Sequence, residues 1–364
     1  MEGRTRRNHR AKKINITIGS VILLYLLVSF FTSKIVYDKQ FPRYDRTDET
    51  LSASLRHADI AGDYPRISLT FPSGEHKLHG YLYGSQNDRG LMVIAHGLGG
   101  GADSYLSQIT HFVDRGLRVF AYDCTGSHDS EGASTKGFPQ SILDLHAALT
   151  FIGSQEELER LPVLLFGHSW GGYAVANILA YPHEVAGVIS VSGVNSAMDM
   201  IREQGRTLMG PLIHTQLPFI RLYQLMLFGS VASSDAVSAI NGTSTPVLII
   251  HGAEDELVSY HESAIIAFRN AITNPRVSYI TSYANGRNGH DNLFRTDEAI
   301  ETIEQVNATY RQLYEQHGGN IPLEIRRAFY QGIDRIDLSR LEPTLMHAID
   351  SFIDEALGTE LQKM

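Results

Sequence analysis

One cysteine stands among 364 residues. Cys124 has no partner within the chain, so an internal disulfide framework is excluded. Cations are the minority charge: 31 Lys and Arg against 40 Asp and Glu leave a formal net charge of −9. A polyanion such as nucleic acid finds no electrostatic footing on such a chain, and no nucleic-acid partner is expected. P-loop, GxGxxG and HExxH patterns are missing, and the 16 histidines are scattered without zinc-type spacing. No metal and no organic cofactor is therefore expected. There is no internal repeat and no low-complexity tract. The length suits one large α/β domain with attachments.

What is present begins with an apolar run of bilayer length. Arg4, Arg6, Arg7, Arg10, Lys12 and Lys13 precede an uncharged stretch from Ile14 to Ser33. Its roughly 20 residues make about 30 Å of helix, the thickness of a hydrocarbon core. A secretory signal peptide is the competing reading. It has a shorter apolar region and a small-x-small exit, whereas Phe30-Phe31-Thr32-Ser33 is bulky where small residues are wanted. The stretch therefore reads as an uncleaved signal-anchor. By the positive-inside rule the basic tail, residues 1–13, stays cytoplasmic and the remainder lies on the extracytoplasmic side of a single-pass membrane protein. Residues 34–64 are polar, contain Pro42, and read as a linker. The domain proper is expected over 65–364.

Within that domain, short apolar runs alternate with helical patterns. Ile67–Phe71 and Leu78–Tyr83 read as a hairpin turning at Pro72-Ser73-Gly74. Leu91–Ala95, Leu117–Tyr122, Val163–Phe166 and Val185–Val191 read as buried strands, with helices expected at about 103–115, 138–152 and beyond Tyr173. Such alternation predicts a mostly parallel sheet flanked by helices. The rhythm lapses between Asn195 and Asn241, where Met, Leu and Phe accumulate without a convincing strand. It returns at Pro246–His251 and Val277–Tyr283, and further helices are expected at about 296–316, 323–330 and 345–357.

The most informative stretch is Gly167-His168-Ser169-Trp170-Gly171. A strand runs in, a helical pattern runs out, and the serine has glycine at both second neighbours. That is a nucleophile elbow in its required context. A Cβ at either glycine would meet neighbouring backbone, and the tight turn lifts the serine Oγ clear of the sheet. Serine is a weak nucleophile unless a base takes its proton and an acid orients the base. Asp255 and His290 each follow a predicted strand, so Ser169, Asp255 and His290 stand in the order nucleophile, acid, base.

With these residues in place, the chain resembles the serine aminopeptidase (S33) and monoacylglycerol-lipase-like branch of the α/β-hydrolases over roughly residues 65–315. Gly252-Ala253-Glu254-Asp255-Glu256-Leu257-Val258 is similar to the family's G-x-x-D-x-x-V acid loop, and Gly289-His290 lies where the family places its base. Glu254, Glu256 and Asp199 compete for the acid role, and His251, His261 and His347 for the base. His96-Gly97-Leu98-Gly99 looks like the family's His-Gly-x-Gly loop. The resemblance implies an oxyanion hole formed by the backbone N–H groups of Leu98 and Trp170. Asp123 to Gly132 resembles a D-x-x-G-x-G-x-S-x-G turn, with His128 where a glycine usually stands. The position of Asn195–Asn241 resembles that of the family's helical cap. The implied activity is hydrolysis of an ester, lipid-like or acyl, through an acyl-serine. An aminopeptidase or amidase is the alternative, with a peptide substrate, and an inactive anchored binding domain is the alternative of another class. The expected partners are that substrate and, through residues 14–33, the lipid bilayer; the sequence leaves the oligomeric state open.

Overall fold

The computed structural model describes residues 2–358, without the side chains of residues 2–8, 10 and 11. The side chains of Arg4, Arg6, Arg7 and Arg10, and the last six residues of the expected domain, lie outside the described residues.

An eight-stranded sheet organises the domain, in the order β1-β2-β4-β3-β5-β6-β7-β8. The strands are β1 (Arg66–Ser73), β2 (His76–Tyr83), β3 (Leu91–Ala95), β4 (Arg118–Tyr122), β5 (Val163–His168), β6 (Gly187–Val191), β7 (Val247–Gly252) and β8 (Val277–Ser282). Strands β3 to β8 are mutually parallel, while β1 and β2 add an antiparallel edge. Strands β3, β6 and β7 are buried along their whole length, which is why they read as unbroken apolar runs. Side chains alternate between two cores. Leu91, Val93 and Ala95 of β3 enter one, Met92 and Ile94 the other.

The hairpin turns later than the sequence suggests. Pro72 and Ser73 continue β1 opposite Lys77 and His76, and Gly74-Glu75 makes the loop with Gly74 at φ +57°. An edge strand accepts the missing proline N–H.

The segment expected to be a cap forms three helices, Ala197–Met209, Ile213–Phe228 and Ala236–Asn241. Ser196 and Asp235 cap two of them, accepting from Asp199 N–H at 3.1 Å and Ser238 N–H at 2.8 Å.

The N-terminal region departs most from expectation. A single helix runs from Glu2 to Gln40, past Ser33. The charges at Lys34 and Asp38 do not end it, because at i,i+4 spacing they pair across one turn. Pro42 ends it. By length and composition this helix could cross a membrane, a test that a signal sequence near an N-terminus also passes. The expected linker is no open tether. Residues 41–46 form a strap along the domain: Tyr44 exchanges backbone hydrogen bonds with Gly126 (2.9 Å) and His128 (2.8 Å). Arg43 donates to the carbonyls of His128, Ser130 and Gly132. Arg46 donates to Asp103 at 2.5 Å and Asp129 at 2.8 Å.

Candidate active site

The elbow is built as steric reasoning requires. Ser169 follows β5, precedes the helix Trp170–Asn177, and holds φ +56°, ψ −113°. For a residue with a Cβ this is a strained backbone, over-determined by its surroundings. The Ser169 N–H donates to Val191 O at 2.8 Å, and its carbonyl accepts from Tyr173 N–H at 3.0 Å. The glycines are indispensable here: a Cβ on Gly167 would strike the Gly171 backbone, and one on Gly171 the Ala95 carbonyl.

Asp255 and His290 come together from the loops after β7 and β8. The Nδ1–H of His290 donates to Asp255 Oδ2 at 2.8 Å and Oδ1 at 3.0 Å. Asp255 Oδ1 also accepts from the N–H groups of Leu257 (3.0 Å) and Val258 (2.8 Å). Burial opposes ionisation of Asp255, but hydrogen bonds from His251 and His290 outweigh it and hold the carboxyl far below the usual carboxylate range. Burial also lowers His290. The hydrogen bond and charge of Asp255 outweigh that as well, and the imidazole ends above its ordinary value. With Nδ1–H committed to Asp255, Nε2 carries the free lone pair.

Of the competing residues, His251 and Glu256 touch the Asp255–His290 pair and the others sit elsewhere. His261, His347 and Glu254 are exposed. His251 is buried, and its Nε2–H is shared between Val258 O at 2.9 Å and Asp255 Oδ2 at 3.3 Å, bracing the turn that carries Asp255. Glu256 accepts the His290 backbone N–H at 3.2 Å. Asp199 accepts from Ser196, Asn195 and Arg202 at the start of the first cap helix.

The loop after β3 is fixed by His96, fully buried and pushed down by burial to about 4. Its Nδ1–H donates to Gly97 O at 2.7 Å, and its Nε2 accepts from Cys124 N–H at 2.9 Å. Gly97 O accepts from Gly100 N–H too, at 3.2 Å. Because the peptide unit is planar and trans, a Gly97 carbonyl held on that side turns the Leu98 N–H the opposite way. Trp170 is the first residue of its helix, so its N–H is one of those a helix leaves without an internal partner.

Two side chains without an assigned role in the sequence complete the site. The Gly97 N–H donates to Tyr105 Oη at 3.0 Å. Tyr105 Oη lies 3.0 Å from His168 Nδ1, and His168 Nε2 lies 3.1 Å from the His290 carbonyl. The carbonyl can only accept, so Nε2 carries the proton. His168 is neutral, pushed down by burial to about 4, so Nδ1 accepts from the Tyr105 hydroxyl. One chain of hydrogen bonds thus joins the loop after β3 to the loop carrying His290, whose ring centroid is 4.8 Å from that of His168. His168, His290 and Asp291 place possible ligand atoms within 4.8 Å of one another. Both His168 nitrogens are already occupied, which leaves no lone pair for an ion. His168 was legible as part of the elbow motif; Tyr105 carries no sequence signal. His128, where the resembled turn would carry glycine, has a left-handed backbone at φ +42°.

Ser169, His290 and Leu98 line a cleft of about 1450 Å³. The first cap helix contributes Met200 and Ile201, the strap Tyr44 and Arg46, and the N-terminal helix Val28 and Thr32.

The comparisons agree with this architecture. Residues 86–214 match the family described as serine aminopeptidase, S33. The quorum-quenching protein AidA of Acinetobacter baumannii is 29% identical over 148 residues, 37% of this chain and 47% of that protein. The α/β-hydrolase domain-containing protein WAV2 of Arabidopsis thaliana is 27% identical over 168 residues, 42% of this chain and 50% of that protein. The chain therefore spans about half the length of the curated relatives it matches. Among solved structures, the esterase Pf2001 of Pyrococcus furiosus superposes with a TM-score of 0.53 at 16% identity, covering 76% of this chain and 98% of that one. The chain has the α/β-hydrolase fold, and its segment from β3 to the cap is similar in sequence to the serine aminopeptidase S33 family.

Proposed function

We propose that this protein is a membrane-anchored serine hydrolase that cleaves a carboxylic ester of a lipid-like substrate. The observation that carries the reading is the Asp255–His290 pair, with His290 lining the same apolar-walled cleft as a strained elbow serine. Ser169 Oγ attacks the ester carbonyl carbon as its proton passes to His290 Nε2. The Leu98 and Trp170 N–H groups receive the developing oxyanion, an interaction worth several kcal/mol at the transition state. The tetrahedral adduct collapses, and the alcohol leaves with the proton from His290. Water then attacks the acyl-serine along the same route and releases the acid. Asp255 keeps His290 in the productive tautomer and stabilises the imidazolium.

The peptidase alternative needs a carboxylate free to receive a substrate ammonium. The cap's acids are otherwise engaged. Glu203 accepts from Ser259 and Ser263 N–H, Asp235 from Ser238 N–H and Asn195, and Asp199 pairs with Arg202. Among the described residues the cap therefore offers no such carboxylate, while Asp45, Glu49 and Asp291 also line the cleft and the assay below decides between the two.

The N-terminal helix is assigned as the anchor, with residues 1–13 cytoplasmic and the catalytic domain on the opposite side. Protease protection in sealed vesicles tests that orientation. The chemistry is tested with a fluorophosphonate and a p-nitrophenyl ester series beside aminoacyl p-nitroanilides. The adduct is expected on Ser169, and kcat/KM is expected to rise with acyl length, since each buried CH2 contributes about 0.8 kcal/mol. Undiminished labelling in Ser169→Ala, or a flat acyl series with efficient aminoacyl cleavage, overturns the reading.

A further inference from the structure

The N-terminal helix does more than precede the domain. Within the expected span, Tyr25 meets Phe219 ring to ring at 6.3 Å, Phe30 meets Tyr223 at 6.3 Å, and Ser33 donates to Gln216 Oε1 at 3.2 Å. Beyond it, Tyr37 packs on Tyr223 at 5.5 Å, and Tyr223 donates to Asp38 at 2.7 Å. All of these partners lie on the second cap helix, Ile213–Phe228. Tyr25 is eight residues inside the end of the uncharged stretch, about 12 Å along the helix axis. A cap helix that touches the span at that depth cannot stand clear of the bilayer the span crosses.

The rest of the cap's outer surface fits that position. Leu208, at the rim of the cleft, and Leu212, Leu222 and Met226 are each at least half exposed. They lie on the first two cap helices and the turn between them, and they extend the apolar surface of the N-terminal helix, whose residues Val21 to Val28 are exposed too. An apolar surface of this extent on one side of a soluble domain marks an interaction site. Val28, Ser29, Thr32, Ser33 and Val36 of the N-terminal helix line the same cleft as Ser169.

We propose that the outer face of the first two cap helices is immersed in the lipid bilayer and that the catalytic cleft opens at membrane level beside the anchor helix. A substrate held in the bilayer then enters sideways, its acyl chain passing the anchor helix before its ester reaches Ser169. The proposal rests on the anchor and ester-hydrolase readings above, and its test separates them.

Full-length protein is reconstituted into phosphatidylcholine vesicles containing lipids brominated near the headgroup. Leu222→Cys, Met226→Cys and, as a water-facing control, Tyr283→Cys are labelled singly with an environment-sensitive fluorophore. Cys124 is fully buried, which withholds it from the label. Bromolipid quenching at 222 and 226 is expected to exceed that at 283 at least threefold. Equal quenching at the three sites, in protein that resists an alkaline wash, overturns the immersed cap while leaving the anchor standing. Protein stripped by the wash overturns both.

Leu222 and Met226 do not line the cleft. The double variant Leu222→Glu/Met226→Glu is therefore expected to lose at least tenfold in hydrolysis of a long-chain umbelliferyl ester in vesicles while staying within twofold on soluble p-nitrophenyl acetate. Equal losses on both substrates, or no loss on either, count against the proposal. If the wild type cleaves neither ester, the catalytic reading fails alone, and the quenching decides the cap.

Discussion

Replacing Tyr105 by Phe removes one oxygen and keeps the ring, which packs edge-on against Phe166 at 6.2 Å. Two groups lose their partner. The Gly97 N–H is buried and has the Tyr105 hydroxyl as acceptor; the His168 Nδ1, less deeply placed, accepts from the same hydroxyl. A buried polar group left unpaired costs about 1–3 kcal/mol, so with the smaller share for His168 the fold should lose about 2–4 kcal/mol. The catalytic effect is separate. Gly97 begins the loop that presents the Leu98 N–H, and His168 holds the His290 carbonyl. A shift of about 1 Å in such a site costs on the order of 10²-fold. Tyr105→Phe should therefore lower kcat roughly 10- to 100-fold while KM stays within about twofold. Ester hydrolysis well below the variant's melting temperature, with thermal unfolding measured alongside, reads both effects. A variant that melts earlier yet keeps kcat within twofold of the wild type would refute the positioning role and leave the tyrosine structural.

Asp255→Asn should cost roughly 10⁴-fold in kcat, because an amide N–H facing Nδ1 drives the proton to Nε2 and removes the base; Glu254→Gln, at an exposed position, should leave the rate within twofold, and the same ester assay compares them. His290 is held above its ordinary value by the hydrogen bond it donates to Asp255 and by that carboxylate's charge, acting against burial, so kcat/KM should climb with pH through an apparent pKa above 6.5. Stability should move the opposite way. A raised histidine contributes fully below its unfolded value and loses that contribution as pH rises through the folded one, so calorimetry across this window should show the melting temperature falling as activity grows. Gly171→Ala drives a methyl into the Ala95 carbonyl, where no rotamer offers escape. A loss of about 3 kcal/mol, and a melting temperature lower by roughly 5–10 °C, is expected in a thermal scan.

What the sequence disclosed follows from how local each constraint is. The elbow is five consecutive residues because its steric problem is solved within one turn, so Gly167, Ser169 and Gly171 could be read together. Asp255 and His290 needed the order of the strands, since 35 residues of chain separate two side chains that meet at 2.8 Å. The cap was visible as a lapse in strand rhythm. The strap was not. Arg46 finds Asp103 and Asp129, 57 and 83 residues away, and no periodicity announces such a pairing. The helix runs past the apolar stretch that ends at Ser33, because hydropathy tracks which residues suit lipid and not where helicity stops. Helicity continues through Lys34 and Asp38 for reasons of its own. Tyr105 was silent because its role depends on a hydroxyl placed by tertiary packing.

The strap has a consequence for reach. A flexible tether of about 30 residues would let a domain roam roughly 30 Å from its anchor and sample substrates in the water above the membrane. Arg43, Tyr44 and Arg46 remove that slack, and the helix continues to Gln40 before they begin. The domain is bolted to its own N-terminal helix and turns with it. On the anchor reading proposed above, encounter becomes a two-dimensional problem: supply is set by how many substrate molecules share each unit of membrane area, and material in a neighbouring membrane lies out of range however concentrated it is.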